Sequence, residues 1–212
     1  MGKARKPKAV KLIIGMLAKS QKLFDIAEEF FIKEFGPIDY KSPVISFGYT
    51  DYYKKEMGSP LKRKFISFKK TISPGRIAKI KLLANSIEEK LAVKINSSRL
   101  RSKNIVRASK VSRELPNLRR RINIDPGYIS DSKLVLATTK DYFHRVYLHH
   151  GIYAEVTLRW RKSSFEPFEW TYPDYRSKVY IDILNTIRNM YVLGQTYMQG
   201  QDVRSNNTAK SQ

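Results

Sequence analysis

The sequence predicts an α+β fold: a ferredoxin-like antiparallel sheet with two packed helices, extended by a C-terminal hairpin and a last helix. Three observations carry this. Strand and helix signals follow the order strand-helix-strand-strand-helix-strand. Two stretches place apolar residues at spacings of three and four, the period of a helix with one buried face. A third, Ile152 to Trp160, alternates apolar and polar residues as a half-buried strand does.

Val10 to Met16 is a short apolar run and reads as a buried strand. Ser20 caps a helix whose stripe is Leu23, Ala27, Phe30, Phe31 and Phe35, and Gly36-Pro37 ends it. Ile38 to Phe47 is extended, with Pro43 making it an edge strand or two short pieces. Thr50 or Asp51 caps a short helix through Glu56, closed by Gly58. Lys62 to Ile72 reads as a heavily charged strand. Ser73-Pro74 starts the second long helix, which buries Ile77, Ile80, Leu83, Ala84, Ile87 and Leu91.

Residues 95–120 are polar and basic without period, and read as a surface insertion. Ile122 to Asp125 is a strand, and Asp125-Pro126-Gly127 reads as a turn. Lys133 to Thr139 fits helix or strand equally. His144–Leu148 and Ile152–Trp160 make a hairpin around His149-His150-Gly151, with Leu148 opposite Ile152, Tyr147 opposite Tyr153 and Arg145 opposite Glu155. Phe165 to Trp170 adds a strand. Tyr172-Pro173-Asp174 opens the last helix, which buries Tyr180, Ile183, Leu184, Ile187, Met190 and Tyr191. The chain thus divides into a basic tail (1–9), one domain (10–195) carrying the insertion, and a flexible tail from 196 to 212.

The net charge is +22. Residues 1–11 hold five bases and no acid, and residues 95–121 hold nine bases and one acid, so more than half of the excess sits in two segments. Such charge suits a polyanion partner or a solvated surface. With no cysteine, disulfides, thiolate metal sites and cysteine nucleophiles are excluded, and a reducing, cytoplasmic setting is expected. No apolar run reaches the roughly 20 residues a membrane span needs, so no membrane partner is expected.

The sequence lacks the phosphate loop, the dinucleotide glycine pattern, the serine elbow and the paired-histidine zinc motif. Thr139-Lys140-Asp141 lacks the spacer of the guanine-reading motif. His149 and His150 are strand neighbours that point apart, so no metal pair is expected there. The polar candidates lie between Asp125 and Arg176. Thr139, Lys140 and Arg145 suit phosphate oxygens. Asp141 and His144 suit an acid–base pair, or a capped turn beside a satisfied histidine. Glu155 suits a ligand cavity or a cross-strand ion pair with Arg145. Tyr172, Asp174 and Arg176 suit either closure over a ligand or a helix start.

The strings DYYKKEMG (51–58), PLKRKFISF (60–68), NIDPGY (123–128), KLVLATTKDYFHRVYL (133–148), GIYAEVTL (151–158) and WTYPDYRS (170–177) resemble the bacterial family of domain of unknown function 4416, over about Lys8 to Val192. The resemblance implies no established activity and leaves any cofactor unknown. Some members carry a GTP-binding label, which no motif here supports. The segment 95–120 departs from the family pattern.

Three functions remain. The first is binding of an anionic ligand, nucleotide or RNA, by Asp125, Thr139, Lys140, Arg145, Tyr153, Tyr172, Asp174 and Arg176, with Tyr147, Tyr153 and Tyr175 to stack on bases. The second is an enzyme acting on a phosphorylated substrate, with Asp125, Asp141 and Glu155 around Mg²⁺ and His144 as acid or base. The third is a structural or partner-binding protein.

Overall fold

The computed structural model describes residues 2–94 and 118–208. Most of the expected insertion, residues 95–117, lies outside the described residues. The strands are β1 (Lys11–Ala18), β2 (Ile38–Lys41), β3 (Ile45–Phe47), β4 (Leu61–Phe68), β5 (Val93–Lys94), β6 (Leu118–Arg119), β7 (Ile122–Ile129), β8 (Lys133–Thr138), β9 (Val146–His149), β10 (Ile152–Arg161) and β11 (Ser164–Pro167). The helices are α1 (Gln21–Phe35), α2 (Tyr52–Met57), α3 (Ile77–Leu91) and α4 (Lys178–Thr208).

The α+β class holds, with a sheet larger than a simple ferredoxin-like one. Nine described strands form one sheet in the order β11-β10-β8-β7-β1-β4-β2, with β3 beside β4 and β9 beside β10. The C-terminal hairpin is not an addition to the sheet; it continues it. The all-buried β1 lies between β4 and β7, antiparallel to both. That explains its unbroken apolar run, since both of its faces are covered. Leu12, Ile14, Met16 and Ala18 meet Phe24, Phe31, Ile80 and Ala84 of α1 and α3 on one face. On the other face Ile13 joins Phe65, Leu158 and Phe165 under Tyr180, Leu184 and Ile187 of α4. Ser20 sits at the N-cap of α1, but its hydroxyl makes no capping bond; its carbonyl accepts from Leu23 instead.

Asp125-Pro126-Gly127 is not a turn. It lies inside β7, which pairs with β1 from Lys11↔Ile129 to Ala18↔Ile122. On its other side β7 meets β8 only at Gly127↔Leu136, Tyr128↔Val135 and Ile129↔Leu134. Backbone groups alternate between the two sides of a strand. The peptide groups of Ile124 face away from β1, because α3 side chains bond both of them. Pro126, two residues on, faces the same way and has no N–H, so the second ladder cannot continue past Tyr128. Gly127 marks the branch point. A Cβ there would lie 2.5 Å from the Val135 carbonyl oxygen and 2.6 Å from Leu136 Cδ2. The two strands therefore form a fork, closed at Gly127 and open toward Ile122. The undecided stretch 133–139 is the strand β8, paired with β10 along its length.

In the hairpin, Tyr147 faces Tyr153 as expected, but Ile152 pairs with His149, not Leu148. His150 and Gly151 both take positive φ, 55° and 71°, and form a two-residue loop that leaves His149 in the strand. A bulge between Ile152 and Tyr153 restores the register. Arg145 precedes β9 and still reaches Glu155. Asp174–Arg176 form a separate 3-10 turn before α4, and α4 runs on to Thr208, past the expected helix end near 196.

The fork yields a stability prediction. Gly127→Ala must push β7 and β8 apart where they are closest, and is expected to lower the unfolding free energy by about 1–3 kcal/mol. Urea melts of both chains measure this, and a loss below about 0.5 kcal/mol would contradict the close approach.

Candidate functional site

The opening of the fork is a cavity of about 1050 Å³. It extends from α3 on one face of the sheet, between β7 and β8, to Arg63 and Tyr175 on the other. Where β8 has left, Ile124 would have an unpaired peptide N–H and C=O, which is costly when buried. Two α3 side chains take the place of the missing strand. Ile124 donates to Glu88 Oε1 at 2.6 Å, and Lys81 Nζ donates to the Ile124 oxygen at 2.7 Å. Seven residues apart, Lys81 and Glu88 lie on one helix face.

On the other face Arg63 of β4 is buried between two carboxylates. Its Nη1 donates to Asp125 Oδ2 and its Nη2 to Asp174 Oδ2, each at 3.1 Å. Asn123 Nδ2 donates to the same Asp125 oxygen at 2.6 Å. Arg120 Nη1 donates to Asn123 Oδ1 at 2.9 Å and its Nη2 to Glu56 Oε2 at 2.6 Å, which ties α2 to the fork. Burial alone would raise the Asp125 carboxyl, but Lys81, Arg63 and the bonds from Arg63 and Asn123 outweigh it and hold that carboxyl low. At Asp174 and Glu88 burial prevails over the nearby cations and both carboxyls are raised. Burial, with Asp125 adding to it, also raises the Tyr53 phenol.

Five cations and six carboxylates line the cavity. The arginines are spent within it: Arg63 on Asp125 and Asp174, Arg120 on Glu56 and Glu88, Arg145 on Glu155. Lys81 and Lys140 make no ion pair with a described residue. Lys140 Nζ lies over the Tyr52 ring, 4.6 Å from its centroid. Four lining tyrosines, Tyr49, Tyr52, Tyr142 and Tyr172, are each 42–49% exposed and edge the cavity with half-open aromatic faces.

Seven of the eleven residues proposed for catalysis or ligand binding meet here, Asp125, Thr139, Lys140, Arg145, Glu155, Tyr172 and Asp174, and so does Tyr175 of the stacking tyrosines. Four do not line the cavity. His144 stands behind it, its Nε2 3.1 Å from Glu155 Oε2 and its ring stacked on Trp170, which stacks on Phe168. Asp141, in the loop before β9, lies close to Tyr153 of β10, and neither lines the cavity. Arg176 donates to the carbonyls of Thr171, Phe168 and Glu169 and ties the loop before α4. Asp125, Asp141 and Glu155 therefore do not converge, and no described group of three His, Cys, Asp or Glu could hold a metal ion. Glu155 is itself taken up by His144, Arg145 and Thr157.

Arg63, Lys81, Glu88, Arg120 and Asn123 were not singled out from the sequence. One signal was present. Lys81 and Glu88 follow Ile80 and Ile87 on the buried side of α3, and Arg63 alternates with Phe65 and Ser67 along β4. A charge at a core position of a periodic pattern marks a built polar site or a buried pair.

A family model described as "Domain of unknown function (DUF4416)" matches residues 8–191. No curated protein and no solved structure matches.

Two predictions follow from these charges. Arg63→Met strips the buried Asp174 and the half-buried Asp125 of their partner and is expected to cost about 2–4 kcal/mol in urea unfolding; a loss under about 1 kcal/mol would contradict the arrangement. Asp174 has a raised folded value, so its contribution is fully present below its ordinary 3.8 and is lost as pH rises through the raised value. The stability difference between wild type and Asp174→Asn should therefore shrink as pH rises from about 3 to 7; a difference that is flat or grows would refute the assignment.

Proposed function

The chain belongs to the family of domain of unknown function 4416, and we propose that its cavity at the fork binds a compact anionic ligand of nucleotide size. One observation carries this reading. With the arginines spent on carboxylates, the unpaired charges directed to the cavity from its two walls include Lys81 on α3 and Lys140 beyond β8. The tyrosines at its edge supply flat apolar faces for a ring. A volume near 1050 Å³ suits one small molecule.

All six strings that carry the family resemblance contribute to the lining: Tyr52 from the first, Arg63 from the second, Asp125 from the third, Lys140 from the fourth, Glu155 from the fifth and Tyr172 from the sixth. This favours a walled site over RNA binding, which calls for an open groove or platform. It also sets the ligand apart from the +22 charge, because the lining itself is nearly balanced. Metal-assisted chemistry by Asp125, Asp141 and Glu155 loses its geometric basis, since Asp141 lies off the cavity. A partner-binding role has one feature in its favour, the exposed Phe143, Val146 and Tyr147 at β9.

Calorimetric titration with AMP, GMP and pyrophosphate at low salt tests the reading. At least one should bind saturably, and Lys140→Ala should weaken it about tenfold, the loss of one charge-assisted bond. Tyr52→Ala should weaken the nucleotides and leave pyrophosphate unchanged. Absence of saturable binding for all three probes would reject the proposal.

A further inference from the structure

We infer that Lys81 is a nucleophilic amine that condenses with a carbonyl carbon of the bound ligand, so that the cavity takes an aldehyde or ketone carrying an anionic group. The inference rests on the anion-binding reading above and adds a reaction to it.

Three lysines are buried among the described residues: Lys11, Lys64 and Lys81, at 4%, 7% and 6% exposure. Lys11 pairs with Asp39 and Lys64 with Glu28. Buried lysines are ordinarily paired in this way. Lys81 touches no described carboxylate, although its charge bears on Asp125 and Glu88 from a distance, and it alone of the three lines the cavity. Its one described hydrogen bond, to the Ile124 oxygen, fixes the side chain at the fork and uses one of the three ammonium hydrogens. The rest of the amine remains for a ligand. Arginine cannot replace it in such chemistry, because a guanidinium stays protonated.

Glu88 is placed to carry the proton, although no bond joins it to Lys81. Glu88 bonds the N–H of the same Ile124 whose oxygen Lys81 bonds, so the two groups flank one residue of β7. Burial raises the Glu88 carboxyl, which makes its carboxylate a better proton acceptor than an exposed one. The Lys81 ammonium passes a proton to Glu88. The free amine attacks the carbonyl carbon, and the C=O electron pair moves to oxygen. One proton shifts from the attacking nitrogen to that oxygen, Glu88 returns the other, and the oxygen leaves as water, so that a protonated C=N bond joins the ligand to Nζ. The step consumes no oxidant or reductant. Lys140, on the other wall, holds the anionic group.

Pyridoxal 5′-phosphate, an aldehyde with a phosphate, serves as the probe. The full chain is incubated with it, reduced with borohydride and mapped by peptide mass spectrometry. The expected result is one dominant reduced adduct, at Lys81, formed at least about tenfold more slowly in Glu88→Gln. Lys81→Arg keeps a cation at the fork but cannot condense, so it should lose the adduct. Lys140→Ala should weaken binding and leave the adduct at Lys81. If the probe binds saturably but the label spreads over surface lysines and spares Lys81, the imine is refuted and the binding reading stands. If neither the probe nor pyrophosphate binds, both fail.

Discussion

The site depends on one backbone constraint: β7 and β8 pair only as far as Gly127, because Pro126 comes next. Without an N–H at that position the ladder stops, and Gly127 lets the strands touch at the last paired residue. Beyond it β8 stays with β10 and β7 stays with β1. The gap between them is the cavity. Its polar floor follows from the same break, because the peptide of Ile124 needs partners that β8 no longer provides. Lys81 and Glu88 provide them. Two charged groups are thereby brought between helix and sheet for a structural reason: Glu88 is held by Ile124 and Arg120, whereas Lys81 has one bond, to Ile124, and lines the cavity.

The surrounding side chains act mostly as supports. The His144–Trp170–Phe168 stack backs Glu155, and Glu155 orients Arg145, whose Nη2 also donates to the Tyr172 hydroxyl at 3.2 Å. Arg176 holds the loop that carries Tyr172 and Asp174. Arg63 bridges that loop to β7 through Asp174 and Asp125. These contacts fix groups from four distant parts of the chain around one space. Orientation of this kind is what a binding site requires of its second layer of residues.

Charge is distributed in an instructive way. The chain is strongly basic, yet its cavity lining is close to neutral. Buried arginines with carboxylate partners have little left to offer a ligand, whereas an unpaired lysine does. The overall charge therefore speaks about surface and tails, and the site must be judged from pairing alone.

The sequence by itself determined the α+β class and the long helices with their buried stripes, because each rests on local period; the expected pairing of Tyr147 with Tyr153 stands only because a bulge offsets a loop one residue shorter than expected. It also pointed to seven cavity residues, since unusual polar groups cluster near Asp125 and between Thr139 and Asp174. It misread Asp125-Pro126-Gly127, where the local preference for a turn yields to pairing with β1. It passed over Arg63, Lys81 and Glu88, whose partners lie 36 to 111 residues away. Which cation is neutralised and which stays available depends on distances across the sheet. Those distances are set when separate elements pack together, and residue order does not contain them.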